Sequence, residues 1–138
     1  MEITVSKEQG AVPVTVLKLH GEIDASNYRE IVVKAEDLFG AGARDFLIDL
    51  SDVQYMSSAG MVALHSISLL VRGEKPSDPE AGWSALKSFD RARERGLVQH
   101  VKLLSPQKYV AETLEKAGFT QFFEIFTDLN KAVASFPA

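Results

Sequence analysis

The chain opens with apolar and polar side chains in alternation. Over residues 2–7 the apolar side chains of Ile3 and Val5 fall on one face, which is the pattern of a half-buried strand. Alternation resumes over residues 12–21, after a short link that contains Gly10. Two alternating segments joined by a short glycine-containing link predict an antiparallel hairpin.

The apolar period then lengthens to three or four residues. Over residues 28–39 the large apolar side chains recur at this spacing, which predicts an amphipathic helix. Asp24 or Ser26 is expected to cap the start of this helix, because short polar side chains accept the free amides of a first turn. Gly40 or Gly42 is expected to end it.

Two more strand and helix pairs follow. Residues 46–50 form a short apolar run, typical of a buried central strand. A second helix is entered through residues 57–60 and is predicted to run to about Val71. Residues 100–105 predict another strand. The serine–proline pair at 105–106 is expected to start the next helix, with the serine as its cap and the proline in its first turn.

The chain closes with one further strand and helix. Gly118 is expected to end the third main helix, and residues 122–126 form an apolar run that predicts a strand. Thr127 or Asp128 is expected to open the final helix.

The order of these elements predicts the fold class. Helices that alternate with strands are typical of parallel strands joined by right-handed crossovers. We therefore predict an α/β fold with a mixed, mostly parallel sheet that opens with a hairpin and is packed with about four helices. The 138 residues fit a single domain, 1–138.

An insertion is predicted at residues 72–96. Its first part is rich in proline, glycine and charge, which indicates an exposed loop. An extra helix then carries Trp83, Leu86 and Phe89 at helical spacing. We expect this apolar stripe to pack against the domain, and the alternative is a stripe that binds a partner.

Composition narrows the classes of function. Hydrophobic residues make up 46% of the chain and charged residues 25%, as in ordinary soluble proteins. The net charge of −4 argues against direct binding of nucleic acid. There is no cysteine, so disulfides and thiolate metal sites are excluded. The longest apolar stretch, residues 61–71, is too short to span a bilayer, and the first residues do not resemble a signal peptide. We expect a cytoplasmic protein with no membrane contact and no cofactor.

The segment Ser57-Ser58-Ala59-Gly60 has a structural and a functional interpretation. Structurally, Ser57 or Ser58 caps the second helix, and Gly60 lets the first turn pack closely on the sheet. Functionally, a serine in that turn lies outside the carboxyl end of a strand, where ligands of α/β sheets gather. A phosphate there would meet free amides and the positive end of the helix dipole.

Other catalytic chemistry finds little support. A serine nucleophile elbow needs glycine two residues before and two after the serine, whereas Ser58 has Met56 on one side and Gly60 on the other. The three histidines lie on different elements without metal-ligand spacing, and we expect each to be half-exposed; they are His20, His65 and His100. We predict that the protein is not an enzyme and holds no metal.

An acidic pocket is the weaker alternative. Asp24, Asp49 and Asp52 follow or end predicted strands, and could meet near one rim as in a magnesium-dependent phospho-aspartate pocket. The alternative for these residues is that Asp24 caps a helix and Asp52 caps a turn.

Three stretches resemble a known family. The segment LIDLSDVQYMSSAGMVAL, residues 47–64, is similar to the signature of STAS domains, the fold of bacterial anti-sigma factor antagonists. GEIDAS at 21–26 resembles the family's second characteristic stretch, and SPQKYVAETLEKAGF at 105–119 also matches. The resemblance covers nearly the whole chain apart from roughly residues 72–88.

The resemblance implies a phosphorylation switch. The family's usual phosphoacceptor motif is Asp-Ser-Ser-Gly, with phosphate on the first serine. Aligned on Gly60, that acceptor is Ser58, and Ser57 stands where the family has aspartate, which makes Ser57 a rival acceptor. The residues implied to bind the partner are Asp24, Met56, Ser57, Ser58, Gly60 and Met61.

The partners implied are an anti-sigma factor with serine kinase activity and a phosphatase for the phosphorylated form. Phosphorylation adds about −1.5 to −2 charge, and a surface fitted to a neutral serine would release such a dianion. The resemblance thus implies an anti-sigma factor antagonist that phosphorylation switches off. The alternative is a STAS module that binds a small ligand or serves as a scaffold or regulatory subunit in a larger assembly.

Overall fold

The computed structural model describes residues 1–73 and 98–137. The strands are β1 (Ile3–Gln9), β2 (Pro13–Ile23), β3 (Phe46–Met56), β4 (Val98–Leu104) and β5 (Phe123–Phe126). The helices are α1 (Tyr28–Gly40), α2 (Ser58–Val71), α3 (Lys108–Lys116) and α4 (Leu129–Ser135), with a short 3₁₀ turn at Phe119–Gln121. The predicted extra helix, with Trp83, Leu86 and Phe89, lies outside the described residues.

The five strands form one sheet in the order β1-β2-β3-β4-β5. β1 and β2 pair antiparallel, whereas β2, β3, β4 and β5 pair parallel. This confirms the predicted mixed, mostly parallel sheet that opens with a hairpin and is packed with about four helices. β3 lies at the centre, which explains why its first half is almost continuously apolar.

Apolar side chains cover parts of both sheet faces, because successive residues of a strand point to opposite sides. Leu17 and Leu19 join a large core that also contains the inward sides of α1, α2 and α3. Val14 and Val16, on the opposite face, join a smaller cluster with the inward side of α4. The segment between β1 and β2 meets the same helix, since Gly10 lies directly against Val133.

A buried lysine fastens the end of α4 to the sheet. Lys102 on β4 is only 3% exposed, and its Nζ donates to the Ser135 carbonyl and hydroxyl, each at 3.0 Å. Glu124 Oε1 lies 3.3 Å from the same nitrogen. These contacts offset the cost of burying the charge, and a cation also suits the negative end of a helix.

The start of α1 corrects one prediction. Neither Asp24 nor Ser26 caps this helix, because a turn over residues 24–27 comes first and Asn27 precedes the first helical residue. The predicted end is confirmed: Gly42, at φ +112°, lets the amides of Gly42 and Ala43 donate back to the carbonyls of the last turn.

The predicted cap was wrong for α3 and is confirmed for α4. Ser105 does not cap α3, since Gln107 precedes the helix and the Ser105 amide donates to the Phe126 carbonyl at 2.7 Å. Ser105 therefore continues the pairing of β4 with β5 instead of starting α3. Asp128 caps α4 as predicted, its carboxylate accepting the Lys131 amide at 3.0 Å. None of the helices in residues 1–73 and 98–137 has the length and apolar character needed to cross a membrane.

Candidate functional site

The predicted site residues meet at the rim where β2 and β3 end. The two strands run parallel, so their carboxyl ends lie side by side, with Ile23 opposite Met56. The pairing continues one residue beyond β3, because the Ser57 amide donates to the Ile23 carbonyl at 2.9 Å. This contact joins the turn before α1 to the start of α2, which brings together two of the family-like stretches, residues 21–26 and 47–64.

Ser57 is the cap of α2. Its backbone is extended, at φ −84° and ψ 178°, and its Oγ accepts the Ala59 amide at 3.2 Å. Its carbonyl accepts the Gly60 amide at 3.0 Å. Both oxygens of this half-buried residue are therefore used in starting the helix.

Ser58 is the first residue of α2 and is exposed. Within residues 1–73 and 98–137 its hydroxyl makes no hydrogen bond. The two adjacent serines thus differ in role: the Ser57 hydroxyl accepts a helix amide, whereas Ser58 is exposed to solvent.

Gly60 lets the first turn of α2 lie against the sheet. A Cβ at this position would sit 2.4 Å from Met56 Cγ, closer than such atoms approach, and also 3.0 Å from Ile23 Cγ2. Met56 itself is 2% exposed, and Met61 packs half-buried against the large core. The predicted role of Gly60 in close packing follows from these distances.

Asp24 orders the turn that faces the start of α2. Its Oδ1 accepts the Ser26 hydroxyl and the Ser26 amide, the latter at 2.9 Å. The Asn27 side chain braces the same turn through the Asp24 amide at 3.0 Å and the Glu22 carbonyl at 2.7 Å. The hydrogen bonds from the Ser26 hydroxyl and amide lower the pKa of Asp24 below its ordinary value. The rim therefore carries a fixed negative charge near neutral pH.

The acidic-pocket alternative is not supported. Asp24 bonds to Ser26, Asp49 accepts the Ser51 amide at 2.9 Å, and Asp52 lies 2.6 Å from His20 Nδ1. Each carboxylate thus has a separate local partner. Among the residues that the structure describes, no group of three histidine, aspartate or glutamate side chains is arranged to hold a metal ion.

The histidines differ from each other in their surroundings. His20 joins two strands, its Nε2 lying 2.8 Å from Thr4 Oγ1 on β1 and its Nδ1 meeting Asp52 on β3. His65 is buried in α2, so the expectation that every histidine is half-exposed was wrong there. Sequence reasoning missed the Thr4, His20 and Asp52 chain because their proximity follows from strand register alone.

An aromatic pair near the rim was also missed. Tyr55, the last residue but one of β3, stacks on Tyr109 in the first turn of α3, with ring centroids 6.1 Å apart. Both rings belong to the exposed large side chains of the described structure. No local pattern connects them, because the two residues come from different parts of the chain.

An open cavity of about 380 Å³ lies at the opposite end of the sheet. Its lining includes Lys7, Pro13, Leu38 and Arg44. None of the predicted site residues borders it, so the Ser58 rim and this cavity are separate features.

Comparison with known proteins supports the resemblance. The family model of the STAS domain matches residues 3–74, just over half of the chain. No curated protein sequence matches the chain at a significant level.

Solved structures share the fold at low sequence identity. An anti-sigma factor antagonist from Mycobacterium paratuberculosis is 16% identical, with a TM-score of 0.63, over 98% of this chain and 94% of that chain. A putative anti-sigma factor antagonist from Thermotoga maritima is 18% identical, with a TM-score of 0.60, over 89% of this chain and 86% of that chain. The Bacillus cell fate determinant SpoIIAA in its phosphorylated form is 14% identical, with a TM-score of 0.51, over 94% of this chain and 96% of that chain.

Proposed function

This chain belongs to the STAS domain family, and from that premise we propose that it is an anti-sigma factor antagonist switched off by phosphorylation of Ser58. The kinase is the anti-sigma factor that it binds, and a phosphatase restores the active form. The likeness to structures of anti-sigma factor antagonists supports the general role, and the chain's own rim supports the choice of residue.

The observation that carries the proposal is the contrast between the two serines. The Ser57 hydroxyl already accepts the Ala59 amide in a half-buried position. The Ser58 hydroxyl is exposed and makes no hydrogen bond within residues 1–73 and 98–137. A kinase can reach Ser58 without breaking the cap, whereas modification of Ser57 would remove a contact that starts the helix. This contrast favours Ser58 over its rival.

Charge explains how the modification would act. A phosphate on Ser58 brings about −1.5 to −2 charge to a rim where Asp24 is already ionised. The positive end of α2 tolerates that charge in the free protein, so the fold remains. A partner that covers the rim has to desolvate the dianion, which weakens the complex.

The proposed partner surface consists of the residues around the hydroxyl. Three residues of this surface have side chains open to a partner: Ser57, Ser58 and Asp24. Met61 is half-buried and packs against the large core. Met56 and Gly60 are buried, so we assign them to holding the α2 start against the sheet rather than to direct contact.

Phosphorylation is tested with purified kinase-type anti-sigma factors from the source genome and ATP. Mass spectrometry is expected to find phosphate on Ser58 in the wild-type chain. Ser58→Ala should abolish the modification, whereas Ser57→Ala, the matched control, should retain it. Phosphate on Ser57 alone would show that the wrong hydroxyl was chosen. Absence of phosphate with every such kinase would favour the ligand-binding or scaffold alternative.

Mimicry of the charge separates binding from folding. Ser58→Asp is expected to keep the thermal stability, since a negative charge in a first turn contributes about 0.3–1 kcal/mol favourably. Its affinity for the anti-sigma factor should fall at least about tenfold, or ~1.4 kcal/mol. Asn130→Asp, which places the same charge in the first turn of α4, should leave the affinity unchanged. An unfolded Ser58→Asp protein would mean that the switch acts through stability.

A further inference from the structure

The stacked pair of Tyr55 and Tyr109 is the feature that the proposed switch does not use. The rings lie 24° from parallel, with Tyr55 39% exposed and Tyr109 55% exposed. Both side chains therefore keep part of their surface exposed to solvent. Tyr55 lies near the end of β3, two residues before Ser57 and three before Ser58.

The surrounding contacts hold this pair in position. Gln107 Nε2 donates to the Ser51 carbonyl at 2.9 Å, which ties the start of α3 to β3. Val110, the next residue after Tyr109, is fully buried in the large core. A tyrosine anchored on both sides loses little side-chain entropy when a partner binds, and tyrosine is enriched among residues that dominate binding energy.

One carboxylate side chain lies on the strand beside Tyr55. Glu22 is the register partner of Tyr55 on β2 and is exposed. Within residues 1–73 and 98–137, the Glu22 carboxylate makes no hydrogen bond or ion pair. The neighbouring cation is Lys108, which precedes Tyr109 in α3. Successive residues of a helix point about 100° apart, so Lys108 points in a different direction from Tyr109.

We propose that the Tyr55–Tyr109 pair, with Glu22 beside it, receives an arginine side chain of the anti-sigma factor and so determines which partner binds. A guanidinium is planar and stacks on an aromatic face while it donates hydrogen bonds to a carboxylate. The exposed rings and the exposed Glu22 carboxylate match both of these properties. This inference rests on the proposed function: Ser58 governs when the complex forms, and the tyrosine pair governs with which protein.

The test measures the affinity of the full chain for the anti-sigma factor that phosphorylates Ser58, by titration calorimetry. Tyr55→Ala and Tyr109→Ala should each weaken binding about tenfold. Tyr109→Phe retains the ring and should bind within about twofold of wild type. Val33→Ala removes a similarly exposed apolar side chain, 53% exposed on α1, and should change nothing. Thermal unfolding of each variant checks that the fold is intact.

The identity of the occupant is tested by a double-mutant cycle. Each surface arginine of the anti-sigma factor is replaced by alanine and measured against wild type, Tyr109→Ala and Glu22→Gln. One arginine should couple to both positions by at least about threefold. If no arginine couples, or if the tyrosine variants bind like wild type while Ser58→Asp does not, this inference is wrong and the proposed switch stands. If no kinase-type anti-sigma factor binds the wild-type chain, both proposals fail.

Discussion

Helices α2 and α3 begin at the same rim of the sheet, and a serine follows the strand before each of them. In both places the serine amide continues the sheet, donating to the Ile23 carbonyl from Ser57 and to the Phe126 carbonyl from Ser105. Ser57 then caps α2, and the helix begins at the next residue. Ser105 has φ +50° and caps nothing, since Pro106 and Gln107 separate it from α3.

This difference decides what each helix presents. The first turn of α2 is drawn onto the sheet, which leaves Ser58 at the surface and buries Gly60. Helix α3 begins at Lys108, three residues after Ser105. Tyr109 in its first turn stacks on the ring of Tyr55. A serine after a strand therefore does not by itself specify a helix start, because the register with the neighbouring strand and the next residues determine its backbone.

The largest expected effect concerns the close contact at α2. Gly60→Ala should destabilise the fold by about 1–3 kcal/mol, because a Cβ there would displace Met56. Gly40→Ala is the matched control, since a Cβ there meets nothing within 4 Å, and alanine in a helix should add about 0.5–1 kcal/mol. Urea unfolding of both variants measures the contrast. Equal stabilities would show that α2 does not need to approach the sheet so closely.

A smaller effect separates the two serines. Ser57→Ala should cost about 1 kcal/mol, because the Ala59 amide loses its acceptor. Ser105→Ala should change stability by less than about 0.5 kcal/mol, since the Ser105 hydroxyl makes only a long contact of 3.4 Å to the Thr127 carbonyl. Thermal unfolding compares the two. A larger loss at Ser105 than at Ser57 would reverse the assignment of the cap.

The smallest effect tests the turn that faces the α2 start. The pKa of Asp24 is lowered below its ordinary 3.8 by the Ser26 hydroxyl and amide. The ionised turn therefore contributes stability above about pH 3.8, and this contribution is lost as the pH falls through the lower folded-state pKa. Ser26→Ala should raise the pKa of Asp24 toward 3.8, as followed by NMR titration of its carboxyl carbon. An unchanged titration would indicate that the Ser26 amide alone holds the charge.

Much of the fold could be predicted from the periodicity of the chain. The hairpin, the central strand over 46–50 and the helix over 28–39 all carry a local pattern of burial, and each is present. The strand that begins at Phe46 extends further than predicted, to Met56. Its second half alternates irregularly and pairs with β2 through a bulge, so no regular apolar pattern marks it in the sequence. Apolar runs indicate the buried part of a strand and miss the part that emerges at the rim.

For the candidate site, too, the sequence indicated some features and missed others. The motif around Ser58 and Gly60 could be found in the sequence, and so could the neighbouring stretch with Asp24. The roles within it could not, since Asp24 or Ser26 was expected to cap α1, whereas the Asp24 carboxylate accepts hydrogen bonds from Ser26. Which of Ser57 and Ser58 caps α2 was also left open. A single hydroxyl can accept several nearby amides, and only the backbone angles decide among them.

The sequence by itself determined the order of strands and helices and the place of the motif, because burial repeats with the period of the local structure and that period is written in neighbouring residues. The tertiary structure alone decided which distant side chains meet. His20 reaches Asp52 through the register of β2 with β3, and Tyr55 meets Tyr109 through the position of α3 against β3. The physical reason is that such contacts depend on strand register and helix placement, which the packing of the whole core fixes.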